Sequence, residues 1–145
     1  MKEFIVRKQI AINAAPAEVW DALTNPEKTK KYFFNCEVFS SWKVGEEIIF
    51  KGRIFLIKKI ELAGKILKIE PGRVLKYTLN NGQEDNDNGT SFSIVTDEIS
   101  YTNGQTFLSI TDDVGNADGA AERYKKSIKG WDKVLKGLKK LVEKN

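Results

Sequence analysis

The sequence predicts an α+β domain in which an antiparallel β-meander is covered on one face by a long carboxyl-terminal helix. Three observations carry this. From Phe39 to Ile110 the chain runs in short stretches rich in Ile, Leu, Phe and Tyr separated by turn residues, the pattern of a meander. Within these stretches apolar and polar residues alternate, so the sheet has one apolar face and needs one cover. The cover is the segment where Tyr124, Ile128, Trp131, Leu135, Leu138 and Val142 recur at steps of three and four. That spacing makes an amphipathic helix of about 22 residues, roughly 33 Å long.

The elements follow in order. Phe4 to Ile12 is the opening strand, and Ala15-Pro16 ends it. Pro16 suits the first turn of a helix, where its missing N–H costs nothing, and Glu18 sits well against the helix dipole. Val19, Trp20 and Leu23 give that helix one apolar face. Asn25-Pro26 stops it, and Glu27 to Phe34 forms a second short helix ending in Tyr32, Phe33 and Phe34. In the meander, Gly45 opens one strand, Pro71-Gly72 separates two more, and Asn103-Gly104 is a two-residue hairpin signal. Such a turn sets Thr102 opposite Gln105, Tyr101 opposite Thr106 and Ile99 opposite Leu108. Val95, Ile99, Tyr101, Leu108 and Ile110 then share a face, as do Leu75, Tyr77 and Leu79.

Composition removes several chemistries. The 145 residues contain no His and one Cys. Ser-His-Asp and Cys-His devices, the usual zinc sites and an imidazole-ligated haem are therefore excluded, as is an internal disulfide. Cys36 is expected to be a small packed side chain in a reducing compartment. One domain is expected at this length. No apolar run approaches the roughly 18 residues of a membrane span, and Met1-Lys2-Glu3-Phe4 lacks an apolar signal region, so a cytoplasmic protein is expected.

Other features point to function less directly. The long helix carries nine Lys and Arg from Arg123 to Lys144 against Glu122, Asp132 and Glu143, which reads as a solvated face or as a surface for nucleic acid, anionic lipid or an acidic partner protein. Its aromatics lie on the apolar stripe rather than among the lysines, which speaks against nucleic acid. Gly130 and Gly137 each cost about 1 kcal/mol relative to Ala, so they serve close packing, a cavity or a hinge. Asp85-Asn86-Asp87-Asn88-Gly89 fails the calcium-loop register, and Asn80 to Ser91 reads as a long polar loop. Ile54 to Ile57 reads as a strand buried on both sides, in preference to an apolar lip at a pocket mouth or a self-association edge. The hairpin count also aims Asp97 inward; a carboxyl acts as acid or base where burial raises its pKa, but a bulge between Phe92 and Val95 is expected to turn it outward.

Ala15-Pro16-Ala17-Glu18-Val19-Trp20-Asp21-Ala22-Leu23-Thr24-Asn25-Pro26-Glu27 resembles the opening motif of the SRPBCC superfamily, the START-like and birch-allergen-like domains. It is most similar to the branch named for the activator of the heat-shock protein 90 ATPase. The stretch from Gly64 to Thr78, and Gly130-Trp131 followed by Val134-Leu135 and Leu138-Lys139, agree with it. The resemblance covers nearly the whole chain and implies the helix-grip fold, a curved antiparallel sheet wrapped around the carboxyl-terminal helix with two short helices after the first strand. It further implies a cavity between sheet and helix for a small hydrophobic or amphipathic ligand, with no catalytic residue, metal or cofactor to transfer. Carried onto this chain, the ligand-binding residues are Leu67, Leu75, Tyr77, Ile99, Tyr101 and Leu108 on the sheet, facing Tyr124, Ile128, Trp131 and Leu135, with Phe33 and Phe34 near the entrance. The expected function is a non-catalytic binding module. The alternatives are a co-chaperone-like interaction domain, whose lysine face meets a chaperone or other acidic protein, and a cyclase-type enzyme.

Overall fold

Period-two burial along the chain builds the sheet. In the computed structural model, which describes residues 3–54, 58–80 and 92–144, the seven strands are β1 (Ile5–Ile12), β2 (Cys36–Ser40), β3 (Glu47–Ile54), β4 (Lys58–Glu70), β5 (Val74–Asn80), β6 (Phe92–Thr102) and β7 (Gln105–Asp113). They form one antiparallel sheet in the order β1-β7-β6-β5-β4-β3-β2. The helices α1 (Pro16–Thr24) and α2 (Pro26–Tyr32) follow β1, and α3 (Ala120–Glu143) closes the chain. This is the helix-grip arrangement. Phe55, Leu56 and Ile57, the middle of the apolar run, lie outside the described residues, as does the acidic stretch within 81–91. Among the described residues no helix is long and apolar enough to cross a membrane.

The buried face comprises Val6 and Ile12 of β1, Ile66 of β4, Leu75 and Tyr77 of β5, Val95 and Ile99 of β6, and Leu108 and Ile110 of β7. Against it α3 sets Trp131, Val134, Leu135, Leu138 and Val142. The β6–β7 hairpin has the register that Asn103-Gly104 dictates, with Thr102 opposite Gln105 and Ile99 opposite Leu108. That register runs unbroken from Ile94 to Thr102, so the bulge expected before Val95 is absent and Asp97 points inward. The irregularity falls instead in β4 between Ile66 and Lys68. A bulge adds one residue to one strand and reverses which face the next side chain meets.

The two ends of α3 differ. At its carboxyl end Glu143 accepts a hydrogen bond from the Asn13 backbone N–H at 2.6 Å, and Lys139 Nζ donates to the Ala11 carbonyl at 2.7 Å. Lys8 pairs with Asp132 at 2.9 Å. These contacts fasten the second half of the helix to β1. The first half lies over the ends of β4 to β7, where the pocket forms.

Gly130 and Gly137 have different roles. A Cβ built on Gly137 would stand 3.0 Å from Tyr32 Cβ, so this glycine lets α2 approach α3. A Cβ on Gly130 would meet only the tip of the Phe34 ring, at an ordinary 3.6 Å. Gly130→Ala is therefore expected to gain about 1 kcal/mol of stability from helix propensity, whereas Gly137→Ala loses that gain to displacement of Tyr32, itself held by its hydroxyl on the Ala22 carbonyl. Urea unfolding of the two variants checks the order.

Candidate ligand-binding site

Between α2 and β2 the chain reverses in three residues. Phe34 and Asn35 take left-handed backbone conformations (φ 50° and 61°), and the Cys36 N–H donates to the Phe33 carbonyl at 2.8 Å. A left-handed residue other than glycine costs roughly 1–2 kcal/mol. The surroundings hold it: Thr29 Oγ accepts from the Val38 N–H at 3.1 Å, tying α2 to β2. The turn sends Phe33 inward and leaves Phe34 38 % exposed over Gly130. Phe33 stacks obliquely on Phe50 at 4.7 Å and lies 6.1 Å from Trp131.

Phe33, Trp131 and Val134 form a partition. On its outer side is a pocket of about 270 Å³, with apolar walls from Phe34, Leu62, Leu79 and Val114 and a polar end of Asp112, Ser127, Arg123 and Lys126. On its inner side is a void of about 20 Å³, bounded by Tyr32, Leu75, Tyr77, Asp97, Leu108 and Leu135 among others. That inner space holds about one water molecule.

Two carboxyl groups flank the partition, and neither belongs in an apolar core. Asp97, 3 % exposed, stands in β6 between Leu75 and Ile110. Burial, and next the nearby charge of Asp112, push its pKa up to about 8, so it holds its proton at neutral pH. Asp112, 5 % exposed, accepts on Oδ2 from Ser127 Oγ at 2.5 Å and from Trp131 Nε1 at 2.8 Å. Among the described residues, Oδ1 of each aspartate has no hydrogen-bond partner. An unsatisfied buried acceptor costs about 1–3 kcal/mol. Burial also raises the Tyr32 and Tyr77 phenols well above their usual range and the Cys36 thiol to about 11, so none of these is an anion near pH 7.

The residues expected to bind ligand separate into three groups. Phe33, Phe34 and Trp131 line the pocket, and Leu75, Tyr77, Leu108 and Leu135 line the inner void. Ile99 is buried in the core, while Tyr124 and Ile128 pack at its margin, Tyr124 against Phe4 at 5.8 Å. Two expectations are corrected. Leu67 is 43 % exposed because the β4 irregularity gives the inward place opposite Tyr77 to Ile66. Tyr101, near the hairpin tip, is 60 % exposed and lines neither the outer pocket nor the inner void.

Sequence reasoning missed Leu62, Ser93, Asp112, Arg123, Lys126, Ser127 and Val134. Asp112 had a signal, since alternation from Leu108 and Ile110 puts it on the same face. For Ser127 there was none, because it lies at the edge of the apolar stripe.

Comparison with known proteins agrees with this architecture. Residues 13–143 match the family described as Activator of Hsp90 ATPase homolog 1-like protein. A solution structure from Cytophaga hutchinsonii is 30 % identical, with 99 % of this chain and 97 % of that one covered and a TM-score of 0.79. A crystal structure of a Mesorhizobium loti protein is 22 % identical, with coverage of 97 % and 98 % and a TM-score of 0.77. The solution structure of the Aha1 dimer from Colwellia psychrerythraea is 21 % identical, covers 96 % of each chain and has a TM-score of 0.67. No curated protein matches the sequence.

Proposed function

Because the chain belongs to the Activator of Hsp90 ATPase homolog 1-like family, we propose that it is a non-catalytic binding module holding a small hydrophobic or amphipathic ligand between its sheet and α3. The observation that carries this is the outer pocket. Its volume of about 270 Å³ lies just below the roughly 300–1,000 Å³ of ligand sites, room for a small ligand. Its composition is also that of a ligand site: mostly apolar walls with a few polar groups gathered at one end. Gly130 favours the same reading, because a helix glycine that touches only Phe34 leaves the space beside it open.

The test uses 8-anilinonaphthalene-1-sulfonate, an apolar fluorophore with an anionic group. The wild-type protein is expected to bind it with a blue-shifted emission, and Gly130→Phe, which places a ring in the pocket, to weaken binding at least tenfold while leaving the unfolding transition in place. Equal binding by the two proteins, or none by the wild type, overturns the proposal.

One observation favours a second reading, a protein-interaction domain with an acidic partner. Two of the three α3 acids are tied within the chain, Asp132 to Lys8 and Glu143 to Lys139. Lys125, Lys129, Lys133 and Lys136 are exposed on the same helix and take part in no ion pair among the described residues. Attraction through such a surface would be screened beyond about 8 Å at physiological ionic strength.

A further inference from the structure

We propose that the lysine face of α3, with Phe34 at its margin, docks on an anionic lipid bilayer. This goes beyond the ligand reading and stands apart from it, because it rests on the outer surface of the helix and not on what the pocket holds. Lys125, Lys126, Lys129, Lys133, Lys136 and Lys140 are all exposed, and none forms an ion pair among the described residues. At about 3.6 residues per turn they fall within about 100° of the helix circumference, in a stripe roughly 22 Å long. Of the α3 acids, Asp132 and Glu143 are tied to Lys8 and Lys139, and Glu122 lies beyond the amino-terminal end of the stripe. The stripe sets like charges four residues apart, Lys125 with Lys129, Lys129 with Lys133 and Lys136 with Lys140, and each such pair destabilises the helix. Cations that repel one another and pair with nothing in the chain gain from a negative surface outside it.

The surroundings of the stripe choose among anionic partners. Lysine is depleted in protein interfaces, whose energy comes from Trp, Tyr and Arg anchors, and the stripe holds none of these. The one arginine of α3, Arg123, is spent within the chain, donating to the carbonyls of Asp118 at 2.8 Å, Val114 at 3.1 Å and Ala117 at 3.5 Å. Single-stranded nucleic acid takes aromatic platforms among the cations, which the stripe lacks, and a duplex offers charge without an apolar layer. A bilayer offers both, with anionic headgroups that gather beneath fixed ammonium groups and acyl chains below them. The apolar layer has a use here. Phe34 is exposed and lies over Gly130, one helical turn from Lys126 and from Lys133. A ring at the edge of a lysine stripe sits at the boundary of headgroups and acyl chains while the ammonium groups stay in the headgroup layer. Phe34, Lys126 and Gly130 also line the outer pocket, so docking sets that pocket against the bilayer.

Co-sedimentation with lipid vesicles tests this. Wild-type protein is expected to bind vesicles of mixed phosphatidylcholine and phosphatidylglycerol at least tenfold more tightly than vesicles of phosphatidylcholine alone, and to lose that preference at about 0.5 M salt, where charge attraction is screened within a few ångströms. The triple variant Lys129→Glu, Lys133→Glu, Lys136→Glu is expected to abolish the preference with its unfolding transition in place, since all three side chains are exposed. Should it unfold, glutamine at the same three positions removes the charge without reversing it and is expected to weaken binding at least tenfold. Phe34→Ser is expected to weaken binding to the mixed vesicles at least threefold while keeping its salt dependence. Equal binding to the two kinds of vesicle, or a folded triple variant that binds as the wild type does, overturns the lipid assignment and leaves the ligand pocket standing. Tighter binding to duplex DNA or to poly-glutamate than to the mixed vesicles at matched charge also overturns it and gives the face to that polyanion. Undiminished binding by folded Phe34→Ser overturns the placement of the pocket against the bilayer.

Discussion

Trp131→Ala is expected to lower the free energy of unfolding by about 3–5 kcal/mol, the ordinary cost of emptying a buried aromatic site. Its ring separates the outer pocket from the inner void and packs near Phe33. Removal would merge the two spaces, and it would also take from Asp112 one of the two donors it has. Trp131→Phe separates these effects, because it retains most of the packing and loses only the N–H. That variant is expected to cost about 1–3 kcal/mol, the penalty of leaving a buried acceptor short of a partner. Urea unfolding of the three proteins gives the numbers; equal losses for Phe and Ala would mean that the hydrogen bond, and not the ring, holds the helix down.

Asp97→Asn is expected to flatten the dependence of stability on pH. The folded-state pKa of Asp97 is raised to about 8 from an ordinary value of 3.8. Below about 4 the carboxyl is protonated in both states and contributes no difference. Between about 4 and 8 the unfolded chain ionises it while the folded chain keeps the proton, so the folded state binds more protons and stability falls as pH rises. The slope approaches 1.4 kcal/mol per pH unit, and above about 8 the penalty is constant. Asparagine carries no such proton. The variant should therefore gain on the wild type progressively from pH 4 to pH 8, reaching several kcal/mol, and parallel curves across that window would refute the assignment.

The sheet was legible where local chemistry determines geometry. Asn103-Gly104 fits a two-residue turn, and a two-residue turn leaves one register, so the pairs Thr102–Gln105, Tyr101–Thr106 and Ile99–Leu108 followed, while the bulge expected before Val95 did not. Likewise the three- and four-residue steps from Tyr124 to Val142 gave α3, which the structure extends to Ala120–Glu143. The β4 irregularity was not legible, because Ile66 and Leu67 are equally apolar and nothing in composition says which faces inward. The second helix ends at Tyr32 rather than Phe34, since the left-handed turn at Phe34 and Asn35 is imposed by packing and not by turn-forming residues alone. The pocket was half legible. Its aromatics and Gly130 stood out in the sequence, and alternation gave Asp112, whereas the rest of its polar end draws on residues that period-based reading assigns to the stripe's edge or to solvent.

The strand order has a kinetic consequence. β1 pairs with β7, Ile5 opposite Asp113, and the side chains of Gln9 and Ser109, bonded to each other at 3.0 Å, are 100 positions apart in the chain. Every other neighbour in the sheet is also a neighbour in sequence, so β2 to β7 can zip by short loop closures. β1 is thus among the last of these strands to find its place. Its partner edge lies 100 positions further along the chain at Gln9 and Ser109, and the α3 residues that fasten to it come later still. Folding of this chain is then gated by one long closure, with the amino-terminal strand and the free edge of β7 as the surfaces open to mispairing until it occurs.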